Sequence, residues 1–169
     1  MDGFTEALIF AAEAHDGQTY GDLPYIAHPM GVAVALLQAG GDEVEVQGAL
    51  LHDSIEDCSH VSFDMVRARF GDEVAQVVIG LTHPDGMGYE EYVDQMPARS
   101  RRVKFFDSLG NYKGLFSPHL RMSEEKKDRL APRYKRNLTL LYPEVYEMAL
   151  SIEDRLLVER LVAEVEAEG

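Results

Sequence analysis

An all-α fold, a single helical bundle over residues 1–169, is predicted by three observations on the sequence. Apolar residues recur at the helical period in one segment after another. Glycine and proline stand where those segments end or begin. The one β-branched run, "DEVAQVVIGLT", has the length and the acidic start of a helix.

The elements follow in order. In "FTEALIFAAEAH", Phe4, Leu8, Ala11 and Ala12 share a face, and Gly17 ends the helix. "GQTYGDLPYIAHP" is loop chemistry, punctuated by Gly21 and Pro24. Pro29 suits the first position of a second helix, "PMGVAVALLQAGG", closed by Gly40 and Gly41. "DEVEVQGALLHDSIED" reads as one third helix with acids at its positive end. Val61 and Ser62 look like staple and cap for "FDMVRARF", stopped by Gly71. "DEVAQVVIGLT" follows, then the turn "HPDGMG" and a short helix, "YEEYVDQM", broken by Pro97. "SRRVKFFDSLGNYKGL" and "SEEKKDRLAPRYKRNLTLLY" are helical, the second with a kink or restart expected at Pro132. Ser151 and Asp154 open the last helix, whose stripe of Leu156, Leu157, Leu161 and Val165 is core packing or a homodimer face.

Composition narrows the function. A chain of 169 residues, 46% hydrophobic, can bury one sizeable core, and it contains no repeat, low-complexity tract or linker. No apolar run approaches the ~18 residues of a membrane span. The N-terminus lacks the basic region of a signal peptide. One cysteine excludes an internal disulfide framework and suits a reducing cytoplasm, the expected location. A net charge of −14 argues against nucleic acid as a partner. Residues 1–66 contain no Lys or Arg, whereas bases crowd the span from Arg99 to Arg136. Two solvated faces would give that pattern; so would a composite site of early carboxylates for a cation and late bases for an anion.

The chemistry concentrates in "LLHDSIEDC", residues 50–58, where His52, Asp53, Glu56 and Asp57 follow two leucines. Charge in so apolar a setting is costly unless a partner or a metal holds it. On a continuous helix His52 and Asp53 sit about 100° apart, with Glu56 one turn beyond. An isolated His–Asp pair is a common dipeptide and reads as a cap or surface pair. Two other segments change that reading. His28 stands where "PYIAHP" meets a helix, and Asp107 follows Val103, Phe105 and Phe106 on a helix expected to be buried. Two imidazoles and two carboxylates make a mixed N/O set suited to Mn²⁺, Fe²⁺, Co²⁺ or Zn²⁺. With four protein ligands, Mn²⁺ or Fe²⁺ leaves room for catalysis where tetrahedral Zn²⁺ does not. Such an ion turns water into a nucleophile near neutral pH. Breaking a P–O bond also needs positive charge for the departing oxygens. Lys104, three residues before Asp107, is the foremost candidate, although it could equally pair with a structural carboxylate; Arg101, Arg129, Arg133 and Arg136 rank below it.

The ordered set "HDGQ", "PYIAHP", "ALLHDSIEDC", "FGDEVAQVVIGLT" and "VKFFDSLGN" resembles the HD hydrolase domain of RelA/SpoT proteins and their small alarmone hydrolase relatives, roughly over residues 4–140. The resemblance implies an all-helical fold, one Mn²⁺ and hydrolysis of the 3′-diphosphate of the nucleotide (p)ppGpp. It implies His28, His52, Asp53 and Asp107 as metal ligands and Glu56 and Asp57 as the residues that handle the attacking water. It also places Asn111 at the nucleotide sugar or base, and Tyr134, by a looser match, near the phosphates. Two departures stand out. Thr19 and Tyr20 follow Gln18 where relatives carry bases, and "KFFDSLGN" puts Gly110 where relatives have a larger residue. Both affect the nucleotide pocket rather than the metal. An HD phosphohydrolase of a different nucleotide or phosphoester, or a non-catalytic nucleotide-binding module, therefore stay as alternatives.

The remaining residues read plainly. His15 packs near the site entrance, His60, His83 and His119 are surface histidines, Tyr89 and Tyr92 are core or interface, and Cys58 has no basic neighbour to activate it.

Overall fold

Helix α8 (Ala98–Leu115) runs through the middle of the protein, and its sequence explains why. Val103, Phe105, Phe106, Leu109 and Leu115 on it are all buried. Its two smallest polar side chains meet partners inside: Ser100 donates to the Val77 carbonyl at 3.0 Å, and Ser108 accepts from Asn137. The structure, a computed structural model, describes residues 2–168. Around α8 stand α2 (Ala27–Gln38), α3 (Glu43–Leu51), α6 (Asp72–Leu81) and α9 (Glu124–Leu141). Outside them lie α1 (Gly3–Ala14) against α3, α5 (Phe63–Phe70) against α6, and α10 (Ile152–Glu168) against α9. The short α4 (Ser54–Asp57) and α7 (Tyr89–Gln95) flank the site described below.

Local chemistry sets most of these boundaries as expected. Asp2 caps α1 through the Thr5 N–H, and Ser62 caps α5 through the Met65 N–H. Asp42 and Glu45 form a reciprocal capping box on α3. The buried Glu45 carboxylate also pairs with Arg102 of α8. Gly71, at φ 87°, separates α5 from α6 in a conformation that favours glycine.

Several boundaries differ from the sequence expectation. Residues 42–57 are not one helix: the chain leaves α3 at Leu51 and re-enters a helix at Ser54. The cause is local, because the His52 ring takes the Ala49 carbonyl that a continuing helix would use. Helix α2 starts at Ala27, ahead of Pro29, so His28 lies in its first turn. The expected loop after Gln18 closes into a small antiparallel hairpin, β1 (Thr19–Tyr20) with β2 (Leu23–Pro24). Pro132 sits inside a continuous α9 and starts no new helix. On α10 the expected stripe divides: Leu161 is buried beside Val158, while Leu156 is exposed. Among the described residues, no helix is long and apolar enough to cross a membrane.

The α3–α6 contact is closest at Gly48, where an added Cβ would lie 2.4 Å from Val77 Cγ1. Gly48→Ala should therefore destabilise by about 1–3 kcal/mol from overpacking, despite the ~1 kcal/mol that alanine gains as a helix former. In denaturant melts, the double variant with Val77→Ala should lose less than the sum of the two single losses.

Candidate metal centre

Three helices deliver the expected ligands to one place. α2 brings His28, the break after α3 brings His52 and Asp53, and the middle of α8 brings Asp107. His28 Nε2 lies 3.1 Å from Asp107 Oδ1 and 4.0 Å from Asp53 Oδ2. His52 Nε2 lies 2.9 Å from Asp53 Oδ2 and 3.6 Å from Asp107 Oδ1. The ligand atoms of His28, His52 and Asp107 all fall within 4.8 Å of one another. Asp53 reaches the two imidazoles from the more open side.

Helix termination orients His52. Its Nδ1–H donates to the Ala49 carbonyl at 2.8 Å, which leaves Nε2 as the ring nitrogen facing the site. His52 is 1% exposed, and its Nε2 has neighbouring oxygens but no aligned hydrogen bond. A buried ring nitrogen left this way is costly unless an electron acceptor meets it. Burial alone would push the His52 pKa down, but the carboxylates of Asp53 and Asp107 override it and hold it well above the usual histidine value. Asp53 resists burial through the neighbouring His52 and falls to about 2. Asp107, 4% exposed, is held low against burial chiefly by Lys104, with help from His28 and His52. Two buried carboxylates crowded against two imidazoles, one of them with an unpartnered Nε2, attract either a proton or a cation. The donor set therefore fits a divalent metal ion.

The outer partners are as specific as the inner ones. Lys104 Nζ sits 2.9 Å from Asp107 Oδ2. Asn111 Nδ2 donates to Asp107 Oδ1 at 2.6 Å, and its own Oδ1 accepts from the Tyr20 hydroxyl at 3.1 Å. Both ends of the Asn111 amide are thus engaged within the protein. The Tyr25 hydroxyl donates to Asp53 Oδ2 at 2.5 Å and lies 3.3 Å from Asp57 Oδ2. Tyr25 stacks on His15, which pairs with Gln18 at 2.8 Å, and Gln18 donates to the Asp57 carbonyl. "HDGQ" thus braces Tyr25 and α4 rather than touching the ion site, in line with the packing role expected for His15. His60, His83 and His119 are exposed, as expected.

A polar cleft of about 230 Å³ opens from the cluster, lined among others by Glu56, Asp57, Arg133 and Tyr134. His28, Asp53, Asp107, Lys104 and Asn111 also line this cleft, and the buried His52 lies against Asp53 and Asp107. Burial raises the Glu56 pKa, Lys104 opposes the rise, and Asp53 and Asp57 reinforce it. Tyr25 carried no assigned role in the sequence, although its place three residues before His28 was a signal for one. Arg133 ranked low among the bases. Among the described residues it now makes no ion pair, whereas Arg101 is bound to Glu144 and to the Met96 and Asp94 carbonyls, and Arg136 pairs with Glu90. Some late bases meet early acids, as Arg99 does with Asp42 and Arg102 with Glu45, while others, such as Arg101 and Arg136, pair with late acids.

Comparison with known proteins places these features in context. The HD domain family model matches residues 7–106. The guanosine-3′,5′-bis(diphosphate) 3′-pyrophosphohydrolase MESH1 of Danio rerio is 38% identical over 122 residues, spanning 65% of this chain and 67% of that protein. The protein named guanosine-3′,5′-bis(diphosphate) 3′-pyrophosphohydrolase in Vibrio cholerae is 34% identical over 104 residues, 61% of this chain. The chain spans only 15% of that Vibrio protein and 19% of a similar one from Synechocystis. A solved structure of a metazoan ortholog of SpoT, described as hydrolysing ppGpp, superposes with a TM-score of 0.75 at 24% identity, over 97% of this chain and 96% of that one. That superposition establishes the shared fold.

Divalent ions should raise the melting temperature, and more so as pH rises, because the ion must displace the proton that His52 holds in its absence. His52→Ala should abolish Mn²⁺ binding in calorimetric titration. Tyr25→Phe, which frees Asp53 from its hydroxyl, should weaken it about 10–100-fold.

Proposed function

This chain belongs to the HD-domain family, and on that footing we propose that it is a metal-dependent phosphohydrolase that removes the 3′-diphosphate from a guanosine nucleotide of the ppGpp type. The observation that carries this reading is the orphaned, buried His52 Nε2 facing His28, Asp53 and Asp107. In this reading those four residues hold the ion, with Mn²⁺ the preferred occupant for a mixed N/O set that must keep positions open. When bound, such an ion supplies Lewis-acid charge on a phosphoryl oxygen and ionises water near neutral pH.

The protein residues do the rest. Glu56, whose carboxyl burial holds above the usual range, takes the proton of the attacking water. Asp57, whose Oδ2 lies 3.3 Å from the Tyr25 hydroxyl and whose carbonyl is held by Gln18, orients that water. The water oxygen bonds to the phosphorus attached to the ribose 3′-oxygen, the P–O3′ bond breaks, and that oxygen leaves as the 3′-hydroxyl with a proton. Pyrophosphate is the other product. Lys104, fixed on Asp107, presents positive charge to the phosphate oxygens.

The nucleoside side lies past Tyr20, which stacks on His28 at 4.8 Å. There an apolar cleft of about 590 Å³ has Gly31, Gly110 and Gly114 among its lining residues. Gly110 adds no side chain to this cleft. Asn111 is a positioning residue for Asp107 and Tyr20 in this reading, and Tyr134 borders the phosphates from α9. A second reading, hydrolysis of another nucleotide 3′-phosphate, is favoured by Tyr20 standing where relatives carry a base. We take the span 1–169 as one domain acting in the cytoplasm on a small nucleotide, as a monomer or homodimer.

Purified protein with Mn²⁺ should release pyrophosphate from ppGpp, and chelator should stop it. Release of inorganic phosphate from other nucleotides without pyrophosphate from ppGpp would favour the second reading. Glu56→Gln should lower kcat by about 10²–10⁴-fold while Mn²⁺ still binds. The wild-type kcat should fall as pH drops through the raised Glu56 pKa, because the base must be ionised to accept the proton.

A further inference from the structure

Beside the polar cleft lies a larger one, about 740 Å³, that shares Glu56, Lys104, Arg133 and Asn137 with it. The two therefore adjoin across the same residues. The far wall of the larger cleft is aromatic: His83 packs edge-on to Tyr92 at 4.8 Å, and Tyr89 lies 5.9 Å from Tyr92. Tyr92 is only 5% exposed. The hydroxyls of Tyr89 and Tyr92 are both buried and have no hydrogen-bond partner. One unpartnered buried hydroxyl is unusual, and two adjacent ones in a cleft wall are a vacancy in hydrogen bonding that a ligand can fill.

Charge says what kind of ligand. Both phenols lie in the field of Lys104, and Tyr89 also in that of Arg133. Burial holds both phenols protonated, so they donate. Arg136 is neutralised by Glu90, and Lys104 is shared with Asp107, but Arg133 has no carboxylate partner among the described residues. Two phenol donors, one ammonium and one unpaired guanidinium surround space adjoining the reaction centre. Glu56, Glu90 and Glu91 also line this space, Glu90 engaged by Arg136; the two phenol donors that have no acceptor, beside the free Arg133, suit an anion rich in oxygen. The glycine-lined cleft on the opposite side has different chemistry: its one basic side chain, Lys113, is paired with Asp154, and its surface is mostly apolar.

We propose that Tyr89, Tyr92 and Arg133 form a subsite for the distal phosphate of a 3′-diphosphate, so that they set the preference for a diphosphate over a monophosphate ester. This rests on the phosphohydrolase reading above and adds to it the residues that hold the distal phosphate and the direction in which substrate lies. The nucleoside points toward Tyr20 and the glycine-lined cleft, and the terminal phosphate points toward the aromatic wall.

The test uses Tyr89→Phe, Tyr92→Phe and their double variant, loaded with Mn²⁺. The ratio of kcat/KM for ppGpp to that for the corresponding guanosine 3′-monophosphate ester should fall about 10–100-fold, the effect of losing a hydrogen bond to a charged oxygen. Metal-free melting temperatures should hold or rise, since the deleted hydroxyls have no partner to lose; a merely structural hydroxyl would lower them. Calorimetric titration with inorganic pyrophosphate and with inorganic phosphate reads the subsite without turnover. Wild type should favour pyrophosphate, and the double variant should lose that preference. An unchanged substrate ratio with an unchanged pyrophosphate preference overturns the subsite. If wild type turns over no ppGpp, the phosphohydrolase reading fails, and the pyrophosphate titration alone then decides the subsite.

Discussion

Everything in this fold is arranged around one buried electrostatic problem: two carboxylates and two imidazoles held together with little access to water. Removing such groups from water is strongly unfavourable unless they compensate one another or a cation does it. Here compensation within the protein is incomplete, because His52 Nε2 has oxygens beside it but no aligned bond. The hydrogen bond from His52 Nδ1 to Ala49 is the hinge of the arrangement. It ends α3, turns the imidazole inward and fixes which nitrogen is free.

The rest of the bundle keeps those side chains in place. Leu50 and Leu51, both fully buried, anchor the end of α3, and Phe105 and Phe106 do the same on either side of the register that carries Asp107. Partners then fix each carboxylate: Tyr25 on Asp53, Lys104 and Asn111 on Asp107. The Gln18 contact to the Asp57 carbonyl ties α4 to the loop below it, so the two acids that face the cleft stand on a supported turn. Outer partners of this kind orient ligands and tune their basicity.

Much of this was legible in the sequence. Helical periodicity, caps and glycine stops located the main helices, since those signals are local. Residue type also exposed the site, because acids and histidines after "ALL" and "VKFF" contradict their apolar surroundings. What escaped were features made by particular side-chain contacts, one of them local and the others distant in sequence. The break at His52 depends on its ring reaching back to Ala49, which periodicity does not register. Tyr20 and Tyr25 gain meaning only when the hairpin folds over α2 and α4. Tyr89 and Tyr92 read as ordinary core because sequence does not show whether a buried hydroxyl finds a partner. Arg133 looked like any other base on α9 until Lys135 and Arg136 proved to be paired and it alone of the α9 arginines without an ion pair lined the cleft.

The central claim is that the His28–His52–Asp53–Asp107 corner is completed by a divalent ion. Anomalous diffraction from crystals grown with Mn²⁺ tests it most directly. The account predicts one strong peak bonded to Nε2 of His28, Nε2 of His52 and carboxylate oxygens of Asp53 and Asp107. A corner that stays closed by direct imidazole–carboxylate contacts, with manganese found only elsewhere or nowhere, would contradict it.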